Sequence, residues 1–196
     1  MKQIITIGRQ YGAAGGEVGK KVANALGIAY YDRDLILKTA SASLNITPDQ
    51  VRKWDEKVPI DVGFAQSLFH FYNKPFGEEL WQAQVDAIRT LANRENCVIV
   101  GRNADWILKE YDHCLKVFIH ADKPWRIRHM KTLHPETTEE QIKADLKAAD
   151  KARKYYCSHY TGQVYGLAQN YDLTLSTSML GIDHVADIIV EAAKHI

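Results

Sequence analysis

The chain has 196 residues, 46% of them hydrophobic and 25% charged, with a net charge of +1. That is enough apolar material for one sizeable core, and the balanced charge excludes the broad basic footprint of a duplex nucleic-acid binder. No apolar run approaches the roughly 20 residues of a membrane-spanning helix.

Gln3–Ile7 is a β-branched run that predicts a first strand; it is too short for the apolar core of an export signal, so the expected setting is cytoplasmic. A glycine-rich turn follows, Gly12 to Gly16. Val18, Val22, Ala23 and Leu26 then recur at helical spacing, and Gly27 ends the helix. Ile28–Tyr31 reads as a second strand, and Asp32–Ala40 begins another helix. Residues 41–95 predict a helical, irregular insertion between strands two and three. There Thr47-Pro48-Asp49-Gln50 has the pattern of a capping box, and Leu80, Val85, Ile88 and Leu91 mark a longer helix. The insertion's aromatics (Trp54, Phe64, Phe69, Phe71, Tyr72, Phe76, Trp81) read as its core, with packing on a substrate base as the other use.

Cys97–Val100 is an apolar strand followed at once by Gly101-Arg102, and Leu115–Ile119 is another, followed by a helix from about Lys123. Thr137-Thr138-Glu139-Glu140 predicts a second capping box and a helix through about Tyr156. Tyr171–Leu175 is a fifth strand. Gly181–His195 is an amphipathic closing helix with Val185, Ile188, Ile189 and Ala192 on one face. Strands alternating with helices favour an α/β fold with a parallel sheet. Cys97, Cys114 and Cys157 make no metal-type pair and read as buried thiols in a reducing compartment. No H-E-x-x-H or G-x-S-x-G pattern offers a rival chemistry, and no metal ligands are expected from the protein.

Strand, glycine turn and helix together form the context in which backbone N–H groups cradle a phosphate. Gly12, Ala13, Ala14, Gly15 and Gly16 are small enough for close approach, and the helix behind them points its positive end at an anion. The usual G-x-x-x-x-G-K-[ST] pattern is not met. Lining up the helix starts puts Gly15 at the lysine position and Glu17 at that of the magnesium-binding hydroxyl. Arg9 would supply the missing charge from the start of the loop. The plainer alternative is a tight turn that only lets strand and helix pack. Glu17 reads first as an acid favouring a helix N-terminus, worth under about 1 kcal/mol; holding a hydrated Mg²⁺ or orienting Arg9 are its functional alternatives.

Several motifs converge: Gly8-Arg9-Gln10-Tyr11-Gly12 with Gly15-Gly16, then Tyr30-Tyr31-Asp32-Arg33-Asp34-Leu35-Ile36, then Val98-Ile99-Val100-Gly101-Arg102-Asn103-Ala104-Asp105, then Asn170-Tyr171-Asp172-Leu173 with Thr177-Ser178 and Leu180-Gly181-Ile182. Through them the chain resembles the cytidylate-kinase-like family over essentially its whole length, least across 41–95. The resemblance implies one kinase-like domain over 1–196, of the P-loop NTPase type. It would be a three-layer α/β/α fold with a five-stranded parallel sheet, a helical acceptor-side insertion at 41–95 and a lid-like segment at about 134–165. It implies ATP-dependent phosphoryl transfer to a nucleoside monophosphate, CMP or dCMP first, with Mg²⁺ bridging the donor phosphates. The partner would be this small nucleotide, with no nucleic acid or membrane, in a monomer or homodimer.

Residue by residue, the resemblance implies that Gly12–Gly16 and Glu17 wrap the donor phosphates. Arg102, after the third strand, and Arg126, after the fourth, would clamp the acceptor phosphate, with Asp32 and Asp105 contacting the acceptor. Asp150, Lys151 and Arg153 match the charged lid loosely, while Ala149 and Ala152 stand where lid arginines are expected. Arg9, Arg153 and Lys151 would neutralise the transferred group. Phosphoryl transfer depends on positioning and charge neutralisation, so the convergence of Arg9, Arg102, Arg126 and Arg153 decides whether turnover is feasible. The alternatives are a kinase for another small metabolite and a nucleotide-binding module without turnover.

Overall fold

The computed structural model describes residues 2–36 and 77–196. The Thr47 capping box, the 41–76 portion of the expected insertion and all its aromatics except Trp81 lie outside the described residues.

Five strands form the sheet: β1 (Ile4–Arg9), β2 (Ala29–Tyr31), β3 (Cys97–Val100), β4 (Cys114–His120) and β5 (Leu173–Ser176). Their order is β2-β3-β1-β4-β5, and every pairing is parallel. Ile4 registers with Cys97 on one side and Cys114 on the other, so β1 is the central strand. The apolar runs follow from this position, because a strand covered on both faces has no solvent side to make polar.

Side-chain alternation assigns the two layers. Ile5, Ile7, Val98, Val100, Val117 and Ile119 face a core shared with α1 (Gly15–Leu26) and the closing helix, while Ile4, Cys97, Ile99 and Cys114 face the opposite core. That second core receives Val85, Ile88 and Ala92 of α2 (Gly77–Arg94), and Ala104 and Ile107 of the short α3 (Ala104–Ile107). The result is a three-layer α/β/α fold.

The strand order reverses about β1. Ligands of such sheets bind beyond the carboxyl ends of the strands at that point. There the chain adds α4 (Lys123–Leu133) and the long α5 (Glu139–Thr161). Thr138 caps α5 by accepting from the Gln141 amide at 3.2 Å, one residue later than expected. Leu146, Ala149, Ala152 and Tyr156 form the buried stripe of α5, which explains why Ala149 and Ala152 are not arginines: their positions face the core. Trp81 stacks on Tyr160 of α5 at 4.4 Å between ring centroids. The chain ends with α6 (Thr177–Leu180) and α7 (Ile182–Ala193), whose buried face is Val185, Ala186, Ile189 and Ala193. All three cysteines are free and buried. Among the described residues, no helix is long and apolar enough to cross a membrane.

Candidate functional site

The phosphate-type loop joins β1 to α1. Gly12 and Ala14 both take positive φ (75° and 59°), and Ala14 is the N-cap of α1. Ala14 therefore fills the place of the last loop glycine, with Gly15 at the lysine position and Gly16 at the hydroxyl position. This corrects the sequence alignment: the hydroxyl position is Gly16, and Glu17 lies one residue beyond. Glu17 instead meets His129 of α4, Oε1 to Nε2 at 2.7 Å, and His129 stacks on Trp125.

The loop backbone is held from several sides. Asp150 of α5 accepts from the Tyr11 amide at 2.8 Å, and Arg126 of α4 donates to the Tyr11 carbonyl at 3.1 Å. Arg126 and Asp150 pair at 2.6 Å. Arg153 donates to the Arg9 carbonyl at 2.6 Å, as does the Tyr165 hydroxyl, which also receives the Arg9 amide at 3.3 Å. Thr177, fully buried, donates to the Ala13 carbonyl at 3.1 Å. Arg126, expected on an acceptor phosphate, thus spends one end on Asp150 and the loop; its Nε is buried without a hydrogen-bond partner among the described residues.

Two hollows meet at the end of the sheet. The outer is a cleft of about 570 Å³ lined by Gly12, Ala14, Gly15, Gly16, Glu17 and Asp32 among others. The inner is a chamber of about 30 Å³, the scale of one or two waters or a small anion. Arg9, Arg33, Arg102 and Arg153 line the chamber with Asn103, Tyr156 and Tyr165, and its one lining carboxylate among the described residues is Asp105. Arg9, Arg33 and Arg153 also line the cleft, so they form the shared wall.

Arginines gathered in this way act on one another. Burial first, then the guanidinium of Arg153 and that of Arg102, push Arg9 down to about 9, where it still carries its charge at neutral pH. Arg102 is 8% exposed and stands over the Tyr156 ring at 5.9 Å. It leaves β3 through a left-handed turn in which Gly101, Arg102 and Asn103 have φ of 84°, 59° and 53°. Asn103 is 7% exposed, and its Nδ2 has no hydrogen-bond partner among the described residues. Burial raises Asp105 to about 6.

Of the residues expected at the site, Arg9, Arg102, Asp105 and Arg153 meet at the chamber, and Gly12, Ala14, Gly15, Gly16, Glu17 and Asp32 meet at the cleft. Ala13 is fully buried behind the loop. Asp32 caps the helical turn after β2, accepting from the amides of Asp34 and Leu35 at 3.1 and 3.2 Å. Lys151 is exposed on α5 and lines neither hollow. Arg33, Asn103, Tyr156 and Tyr165 were missed as site residues; Arg33, inside the Tyr30–Ile36 motif, and Asn103, inside the Val98–Asp105 motif, left a trace in the sequence.

The carboxylates that line the cleft already have partners in the protein. The hydroxyl position is glycine, Glu17 is engaged by His129, Asp32 is a cap and Asp34 pairs with Arg33 at 3.2 Å. Among the described residues, no group of three or more His, Cys, Asp or Glu side chains could hold a metal ion. The chamber wall is dominated by the guanidiniums of Arg9, Arg33, Arg102 and Arg153, the donor chemistry that suits an anion.

The model of the cytidylate kinase-like family matches residues 4–179. The chain is 25% identical over 193 residues to a cytidylate kinase from Methanococcus vannielii, covering 97% of this chain and 99% of that one. Among solved structures it is similar to an uncharacterized protein from Eubacterium ventriosum, with a TM-score of 0.78, 26% identity and full coverage of both chains. A shikimate kinase from Bacteroides thetaiotaomicron shares the fold, with a TM-score of 0.56, 13% identity and 98% of each chain covered.

Proposed function

The chain belongs to the cytidylate kinase-like family, and on that footing we propose that it transfers a phosphoryl group from ATP to a nucleoside monophosphate, with CMP or dCMP the first acceptor to try. One observation carries this reading: four arginines line a small chamber beside the glycine-rich loop between β1 and α1. In this reading, the loop amides and the N-terminus of α1 receive the donor phosphates in the outer cleft. Arg102 holds the acceptor phosphate in the chamber. Arg9 and Arg153, in the wall between, neutralise the group that passes. Fixed cations aimed at developing charge are the main catalytic device in phosphoryl transfer, because little covalent chemistry is asked of the protein. Arg126 and Asp150 serve by holding the loop. The cytidylate kinase from Methanococcus vannielii supports the acceptor class by likeness across nearly its whole length.

A coupled ADP-release assay with ATP, Mg²⁺ and each nucleoside monophosphate tests the reading. Turnover with CMP or dCMP is expected, falling roughly a hundredfold or more in Arg102→Ala. A folded chain that binds ATP but turns over no monophosphate would point to another small acceptor. Binding without phosphate transfer to any acceptor would mark a nucleotide-binding module.

A further inference from the structure

Gly15 stands where phosphate loops of the usual pattern carry lysine, and the reason is steric. A Cβ added at Gly15 would lie 2.6 Å from Arg9 Cβ and 2.7 Å from its Cγ. Any longer side chain there would have to pass through the arginine stem. At the other end, a Cβ at Gly101 would collide with Arg9 Nη1. The Arg9 side chain therefore runs from the end of β1 across the first turn of α1 to the turn after β3, along a path that two glycines leave open. Its backbone is fixed as well, since Arg153 and Tyr165 both donate to its carbonyl at 2.6 Å.

Resting on the kinase reading, we propose that Arg9 is the catalytic cation of the loop, moved from the first helical residue to the last strand residue, and that Gly15 and Gly101 are its positioning residues. The location favours this role. Arg9 lines both hollows, its stem beside Gly15 of the cleft and its guanidinium beside Gly101 of the chamber, and on the kinase reading the phosphoryl group passes between the two. An arginine placed there offers a planar fork to two oxygens at once, which a lysine cannot. Burial and neighbouring guanidiniums lower Arg9 only to about 9, so the charge survives at neutral pH. The two loop positions are thus one device. A side chain at 15 is tolerated only when the one at 9 is withdrawn.

Isothermal titration of the full chain with inorganic pyrophosphate, without divalent metal, and separately with ATP tests the proposal. The variants are Arg9→Ala, Gly15→Ala and the double Arg9→Gly/Gly15→Lys. Each single change is expected to weaken pyrophosphate binding roughly tenfold or more, one by removing the guanidinium and the other by displacing it. The double variant should return to within about threefold of the wild type, and its turnover should exceed that of Arg9→Ala. Wild-type affinity in Arg9→Ala or in Gly15→Ala would overturn the proposal, as would a folded double variant no better than Arg9→Ala. If circular dichroism shows the double variant unfolded, Gly15→Ala decides alone, since it keeps the arginine and only crowds it. A wild-type chain that binds pyrophosphate but not ATP would sink the kinase reading and leave the role of Arg9 in anion binding standing. Binding of neither would refute both.

Discussion

Gly101, Arg102 and Asn103 leave β3 in three successive left-handed residues, a conformation that costs a non-glycine residue about 1 kcal/mol or more. Arg102 also buries its guanidinium beside two others. Arg102→Gly should therefore stabilise the fold by about 1 kcal/mol, a rise of roughly 2–4 °C in Tm, while weakening phosphate binding. Thermal unfolding checks this, and a lower Tm would mean that the contacts of Arg102 outweigh its strain. Asp105 makes a second trade. Burial holds its folded-state pKa at about 6, above the unfolded value. Between the two values the native state binds the extra proton, so stability falls as pH rises through that window and stays lowered above it. Asp105→Asn should recover on the order of 2–3 kcal/mol at pH 7 and nothing below about pH 4. Urea unfolding at the two pH values measures the difference; equal effects at both would show that the carboxyl's charge is not the cause.

At the scale of elements, α5 is the brace of the loop. Its Asp150 takes the Tyr11 amide and the Arg126 guanidinium, and its Arg153 takes the Arg9 carbonyl. The Arg126–Asp150 pair is mostly buried, with side chains 11% and 19% exposed. Removing one partner of such a pair strands the other, at a cost of about 3 kcal/mol. Asp150→Ala should lose about that much in urea unfolding, and Arg126→Met combined with Asp150→Leu should lose less than the single change. Equal losses would mean that packing, not charge, carries the contact. Elements were the part of this protein most open to reading. Cys97–Val100 is a strand by its apolar run alone, and Gly27 marks a helix end through its own chemistry, while the cap of α5 falls on Thr138, one residue past the start of the Thr137 box. The boundaries of β1 drifted because Gly8 and Arg9 continue the sheet pairing with β4, which local propensity does not reveal.

For the whole molecule, the order β2-β3-β1-β4-β5 delivers the ends of β1 and β3 side by side, and that juxtaposition builds the site. Arg9 and Arg102 were visible in sequence because each sits at the carboxyl end of an apolar run that reads as a strand. Tyr165 was not, because its link to Arg9 spans 156 residues and depends on how α5 returns to the sheet. The Arg126–Asp150 pair was not legible for the same reason: Asp150 lies on another helix and leaves no spacing signature. Glu17 looked like a possible metal group until α4 brought His129 to it. The gathered guanidiniums carry one more consequence. Like charges held close inside a fold raise the free energy of the empty folded state, and an anion that enters relieves them. Since only the folded chain assembles that set of arginines, ligand occupancy and folding are linked by mass action, adding about 2.7 kcal/mol when the ligand stands at a hundred times its Kd. On the proposed kinase reading, the folded population of this protein would be set in part by how much phosphate-bearing ligand surrounds it.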